Sequence, residues 1–292
     1  MRPIGYIGQM PTVLSRLERV SRLDGTDDKV QEVVQSALPQ QWMRDALHGA
    51  WFGHPLHPAL VQVPIGAWIS SAILDFMPRH RRGATTLLAA GTISAVPAVI
   101  AGLNDWASLA PRQRRVGLVH AASNALAIGL LSGSLAARMA GRYGLGRLLS
   151  LAGISAAGTG AFLGGHLVYK MGAAVNQATP DLHHLDEGWH PVARLGELPD
   201  KALATVEINQ VPVLVYRDGD KITAMLAHCG HQGGPLGEGS LTTVDGHVCV
   251  VCPWHGSTFR LDNGEVIHGP SATDQQLLPA RVMGDMLEVR MP

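Results

Sequence analysis

Charge is scarce in this sequence. Only 16% of its 292 residues are Asp, Glu, Lys or Arg, against 46% that are hydrophobic, a balance that leans towards a membrane protein. The 23 basic and 23 acidic residues cancel, so the electrostatic footprint of a nucleic-acid binder is missing and no such partner is expected. An export signal is missing too: the first 40 residues contain no continuous apolar core, and no twin-arginine signal is visible. No nucleophile or general-base constellation stands out. Cysteine is nearly absent, with three in the whole chain. The length predicts one or two domains.

In place of charge the chain has apolar length. Four segments, near 58–77, 84–103, 116–137 and 148–169, are each about 20 residues, enough to cross a hydrocarbon core as helices. Within them the one Asp, Glu, Lys or Arg is Asp75, which sits near a helix end beside Arg79, Arg81 and Arg82 and is expected to form an interfacial salt bridge. Small residues at four-residue spacing, Gly129 with Gly133 and Ala156 with Gly160 and Gly164, suit close helix packing in lipid. A soluble bundle would need polar faces, which these helices lack. Ahead of them, residues 1–50 carry apolar side chains at helical spacing around Val30–Leu38 and Trp42–Leu47. They predict short amphipathic helices on the membrane surface or the bundle, or else a cap packed on the later domain.

The most informative stretch is Cys229-Gly230-His231, twenty intervening residues, then Cys252-Pro253-Trp254-His255. Two thiols and two imidazoles can close a tetrahedral zinc shell. Zinc usually takes both thiols from one turn, whereas here each loop supplies one Cys and one His. The runs His231-Gln232-Gly233-Gly234-Pro235-Leu236 and Cys252-Pro253-Trp254-His255-Gly256-Ser257-Thr258-Phe259 resemble the two loops of a Rieske [2Fe–2S] domain. That resemblance covers about residues 189–292. It implies that Cys229 and Cys252 bind an inner iron, that His231 and His255 bind an outer, more exposed one, and that Pro235 and Trp254 shape the surface where a partner docks. High-potential members carry a disulfide and a tyrosine near the cluster. Here the matching positions are Gly234, Trp254 and Phe259, leaving Ser257 as the tuning hydroxyl, so a low-potential centre is implied. Cys249, in the apolar run Val248–Val251, reads as a small buried hydrophobe. With no disulfide available, nothing argues for an oxidising compartment.

A second resemblance covers about residues 45–176. His54-Pro55-Leu56-His57-Pro58, Pro64-Ile65-Gly66, Gly102-Leu103-Asn104-Asp105-Trp106, His120 with Asn124, and Gly164-Gly165-His166-Leu167-Val168-Tyr169 resemble a family of bacterial four-helix membrane domains of unknown function. The expected fold is therefore multi-domain: an all-α four-helix transmembrane bundle plus an all-β antiparallel Rieske-type domain. Its expected parts are an interfacial segment at 1–50, the bundle at 51–172, a linker at 173–188 and the Rieske domain at 189–292. Asn209-Gln210, Asp218-Gly219 and Asn263-Gly264 mark hairpins in the last of these. A mononuclear-iron catalytic domain after the Rieske domain, and with it a complete Rieske oxygenase, is not expected.

With four crossings, both termini share one side of the membrane. His54, His57, Asp105, His120, Asn124 and His166 would then all lie towards the face that carries the cluster. Intramembrane polar groups are expensive, so this layer is a candidate site. His57, His120 and His166 are candidate axial ligands of a b-type haem or lining groups of a quinone pocket; capping of helix ends is the bland alternative. Counting arginine and lysine on the two sides gives six against five, which leaves orientation open. The lack of export signal and disulfide leans towards a cytoplasmic Rieske domain in a bacterial inner membrane. The expected function is a membrane-anchored carrier that takes electrons from a soluble dehydrogenase or hydrogenase to a haem or the quinone pool, as a monomer or an oligomer within a larger complex. Alternatives are the ferredoxin component of a membrane oxygenase or desaturase, and a redox sensor.

Overall fold

The structure, a computed structural model, describes residues 17–20, 22, 24–184 and 188–290. The chain divides into two compact units. The first comprises Met1–Ala37, Gln62–Val96 and Leu109–Ala173; the second comprises Leu38–Val61, Pro97–Ser108 and Ala174–Pro292.

Helices dominate the first unit: α1 (Asp24–Ala37), α4 (Gln62–Asp75), most of α5 (Arg81–Ala107), α6 (Pro111–Met139) and α7 (Tyr143–Tyr169). Four spans are long and apolar enough to cross a membrane: Leu56–Asp75, which joins a short α3 (Leu56–Leu60) to α4, and α5, α6 and α7. Outward-facing Ile69, Ile73, Ile93, Leu126, Leu148 and Phe162 are exposed, which places an apolar surface where a soluble bundle would be polar. Small residues make room for neighbours. A Cβ on Gly153 would lie 2.8 Å from Leu131, and one on Gly91 would lie 2.7 Å from the Trp68 ring. Gly129, by contrast, has nothing within 4 Å, so its expected packing role is not used within the chain.

Asp75 does form a salt bridge, but with Arg138 at the end of α6 rather than with the arginines that follow it in sequence. The guanidinium donates Nη1 to Asp75 Oδ1 at 2.8 Å and Nη2 to Oδ2 at 2.5 Å. Nη2 also reaches Ser150 Oγ at 3.0 Å, and Nε reaches Ser134 Oγ at 3.2 Å. Arg138 is 2% exposed, and Gly146 leaves the space its side chain needs. The acidic first turn of α1 is held to the first turns of α6: Arg115 grips Asp24 at 2.6 and 2.9 Å, and Arg114 contacts Asp27 and Asp28 at 3.1 and 2.8 Å.

The second unit contains α2 (Gln41–His48), the last turns of α5, the short α8 (Thr179–Leu182) and eleven strands among the described residues. Three antiparallel sheets are ordered β1-β11-β10, β2-β3-β4-β9 and β5-β6-β7-β8, where β1 is Trp189–Arg194, β2 Leu203–Ile208, β3 Val211–Asp218, β4 Lys221–Leu226, β5 Ser240–Val244, β6 His247–Val251, β7 Thr258–Arg260, β8 Val266–His268, β9 Leu277–Leu278, β10 Ala280–Met283 and β11 Met286–Arg290. Strand β3 explains the two cores. Successive side chains alternate faces: Val211, Val213 and Val215 enter one core with Leu226 and Leu287. Leu214 and Tyr216 enter the other with Met225, Leu236, Val250 and Phe259. That second core also contains Cys229 and Cys252.

Helix α2 belongs to this unit through polar contacts. Asp45 Oδ1 accepts the Gly269 N–H at 2.8 Å and Oδ2 lies 2.9 Å from His268 Nδ1. Of the two amphipathic helices expected at the N-terminus, α1 thus packs with the helices and α2 caps the later domain.

Candidate functional site

Two loops of the same backbone design meet on the second core. In the first, the Cys229 N–H donates to Gly234 O at 2.8 Å and the Gly233 N–H donates back to Cys229 O at 2.8 Å. In the second, Cys252 N–H donates to Ser257 O at 2.8 Å and Gly256 N–H to Cys252 O at 3.1 Å. Each loop therefore pairs its cysteine with the residues four and five positions later. The fourth position needs glycine, because Gly233 and Gly256 have φ of 73° and 77°. The fifth position of each loop lies against the other loop's sulfur. A Cβ on Gly234 would stand 2.8 Å from Cys252 Sγ, and the Ser257 hydroxyl bonds the Cys229 sulfur.

The donors fall into like pairs. The two thiols share a hydrogen bond, and the His231 and His255 ring centroids are 4.9 Å apart and perpendicular. Among the described residues no three His, Cys, Asp or Glu side chains converge as a single-metal site would need. Cys229 and Cys252 are buried, His231 is 9% exposed and His255 is exposed. His231 Nδ1 is buried without a hydrogen-bond partner, a costly arrangement unless the nitrogen binds a metal.

Electrostatics favour ligation as well. The hydrogen bond from Cys229, opposed by burial and helped by the Trp254 and His255 amides, brings Cys252 down to about 6. The shared proton and burial push Cys229 up. Desolvation, with smaller contributions from His255 and His48, takes His231 down to about 3. Burial lowers His255 too. Both imidazoles are neutral at pH 7, the form that binds iron. The residues fit a [2Fe–2S] group held by two sulfurs inside and two imidazoles outside.

Residues that the motifs do not mark brace these loops. Buried Gln275 donates to Leu226 O and His228 O at 2.7 and 2.8 Å and accepts the Gly230 N–H at 3.3 Å. Gln177 N–H donates to Gly230 O at 2.9 Å. His228 Nδ1 is 2.7 Å from Asp181 Oδ2, which gives that histidine a place in the scaffold. Ser257 Oγ accepts the Ser271 N–H at 3.0 Å. Trp254 is 57% exposed and Pro235 half-buried.

The histidines of the membrane helices are distributed over both units. In the second, His57 Nδ1 is 2.8 Å from Ala98 O, in a notch that Gly102 leaves open. His54 Nδ1 turns to Pro55 O at 3.0 Å, and Asp105 lies 2.8 Å from His48 Nδ1. In the first unit, His120 Nδ1 is 2.8 Å from Gly160 O, and Asn124 Nδ2 is 3.0 Å from His120 Nε2. Gly160 and Gly164 thus make room for polar side chains rather than for a bare backbone. His166 Nε2 pairs with Glu18 at 3.0 Å, alongside Lys170.

Comparison with known proteins gives two family matches. Residues 188–279 match the Rieske [2Fe-2S] domain family, and residues 53–177 match the family described as Predicted membrane protein (DUF2231). Over 103 residues, 35% of this chain, it is 30% identical to the anthranilate 1,2-dioxygenase ferredoxin subunit of Burkholderia cepacia, 92% of which is covered. It is 31% identical over 96 residues, 33% of this chain, to the cytochrome b6-f complex iron-sulfur subunit of Chlorobaculum thiosulfatiphilum, of which it covers 50%. The solved ferredoxin of carbazole 1,9a-dioxygenase from Nocardioides aromaticivorans IC177 is 23% identical over 36% of this chain and 100% of its own, with a TM-score of 0.33. The chain belongs to the Rieske [2Fe–2S] family, and joins that ferredoxin-type electron-transfer domain to four helices of membrane-spanning length.

Proposed function

We propose that this protein is a membrane-anchored electron carrier that takes electrons from a soluble dehydrogenase or hydrogenase and delivers them to a haem or quinone in a bacterial inner membrane. In this reading Cys229, Cys252, His231 and His255 hold the [2Fe–2S] group, which supplies a one-electron redox centre when bound. The observation that carries it is the paired-donor site, with the buried His231 Nδ1 otherwise unsatisfied, in a unit that also contains the end of a membrane-spanning helix.

The direction follows from the residues around the sulfurs. Cys229 receives the His231 amide and the Ser257 hydroxyl, whereas Cys252 receives backbone amides. Gly234 adds no hydroxyl and Phe259 no phenol. Fewer donors stabilise the reduced, more negative state less, so the potential is low and electrons run downhill to quinone.

His57 and His120 each turn Nδ1 to a backbone carbonyl, which sets the tautomer with Nε2 as the acceptor; in His120 that nitrogen takes the Asn124 amide at 3.0 Å. His166, paired with Glu18 through Nε2, suits a proton-exchanging role better than an axial one. Reduction of a quinone takes two electrons, delivered one at a time, and two protons from water. The test is stopped-flow reoxidation of the chemically reduced protein, reconstituted in quinone-containing vesicles. Quinol formation is expected; no turnover with ubiquinone-type or menaquinone-type acceptors contradicts the reading. A Soret band in the purified protein would choose haem as the first acceptor.

A second reading has one observation in its favour. The similarity to a dioxygenase ferredoxin subunit, covering 92% of that protein, suits a carrier serving a membrane oxygenase or desaturase. Reduction of such an oxygenase, with no quinone reduction, would choose it.

A further inference from the structure

The two imidazoles of the site are unequal. His255 is exposed beside an exposed Trp254, whereas His231 is 9% exposed. The groups gathered on the His231 side come from outside the strands. Gln232, the next residue, donates Nε2 to Ser108 O at 3.3 Å, just beyond the end of α5. His48 on α2 is itself 6% exposed and is held through Nδ1 by Asp105 of α5 at 2.8 Å. Its ring stands 2.9 Å from where a Cβ on Gly269 would lie.

That contact is clamped at both ends. One helical turn before His48, Asp45 accepts the Gly269 N–H at 2.8 Å. Two residues after Gly269, the Ser271 N–H donates to Ser257 Oγ at 3.0 Å, and Ser257 bonds the Cys229 sulfur. Asn104, next to Asp105, donates to Arg44 O at 3.2 Å, fixing α2 against α5 a second time. A buried histidine whose Nδ1–H is donated to a carboxylate has a set tautomer and ring orientation.

We propose that His48, anchored by Asp105, is a positioning residue that turns the His231 edge of the centre towards the end of membrane-spanning helix α5, leaving the His255 edge, with Trp254, to soluble partners. The inference rests on the function proposed above and deepens it. Electron exchange falls steeply with distance, so the exposed imidazole serves proteins that dock from water. The covered one serves the acceptor reached along α5. A soluble donor and a membrane acceptor then use different edges and do not compete.

The experiment uses the full-length protein in phosphatidylcholine–phosphatidylglycerol vesicles, reduced with dithionite and offered either ferricytochrome c in water or a ubiquinone-type quinone in the bilayer. The readouts are the ratio of the two reoxidation rates and the EPR line shape of the reduced centre. In His48→Ala and Asp105→Ala the quinone rate is expected to fall by about tenfold relative to the cytochrome rate, as misplacement of a positioned group costs, with an altered line shape. Asp105→Asn keeps an oxygen to accept the His48 Nδ1–H and is expected to hold the wild-type line shape. An unchanged ratio with an unchanged line shape in both alanine variants overturns the proposal, as does an equal fall with both acceptors. A wild type that reduces no quinone overturns the function itself, before any variant is compared.

Discussion

Cys252→Ser is expected to abolish the visible absorption and the reduced-state EPR signal of the centre, while Cys249→Ser keeps both. The loops explain the contrast. Cys252 heads a turn whose amides point at its sulfur, opposite the Cys229 thiol. Cys249 lies in β6, fully buried, with its thiol 3.5 Å from the His247 carbonyl, and has no second donor of the cluster pairs beside it. Serine at 252 replaces a soft thiolate by an alcohol that stays protonated at neutral pH, so one sulfur position of the Rieske set is lost. Iron and acid-labile sulfide analysis checks the outcome. A Cys252→Ser protein with the full iron content would refute the assignment of ligands.

Asp75→Ala is expected to cost about 3–5 kcal/mol of stability in the helical unit, because it leaves a buried guanidinium without its carboxylate. Arg138 is 2% exposed, and its other partners, Ser134 and Ser150, are neutral hydroxyls that cannot compensate a charge in apolar surroundings. Replacing both partners by apolar residues, Asp75→Leu with Arg138→Met, removes the charge together with its counter-charge and is expected to recover most of the loss. Denaturant titration in detergent measures both. An Asp75→Ala protein as stable as wild type would mean that the pair does not hold α4 to α6.

The chemistry of this chain was legible in its sequence wherever it depended on short spacing. The candidate ligands Cys229, His231, Cys252 and His255 lie within two short runs, and the expected hairpin at Asn209-Gln210 joins β2 to β3, with Ile208 opposite Val211. The four apolar spans stood out because lipid demands length and apolarity. Asp245-Gly246, with φ of 50° and 81°, turns β5 into β6 and is as strong a hairpin dipeptide as those read from the sequence.

What was not legible depended on pairs distant in sequence. Asp45 and Gly269 are 224 residues apart, and nothing in the local pattern of α2 says that its carboxylate will hold a loop of the strand domain. His48 looked like any polar residue at a helix end. Its role emerges from Asp105, 57 residues on. Arg138 lies one residue past the apolar segment 116–137, and its burial follows from Asp75, 63 residues earlier. Gln275 gave no signal, since a single amide becomes a brace only when three backbone groups surround it.

A potentiometric titration of the reduced-state EPR signal asks most directly whether this centre feeds a membrane acceptor. The expected midpoint for wild type is roughly −150 mV, the bottom of the Rieske range. Ser257→Ala is expected to lower it by a further ~59 mV, since a hydrogen bond of about 1.4 kcal/mol to the more negative state is removed in a one-electron couple. A strongly positive midpoint, with no downward shift in Ser257→Ala, would contradict a low-potential donor and leave quinone reduction without a driving force.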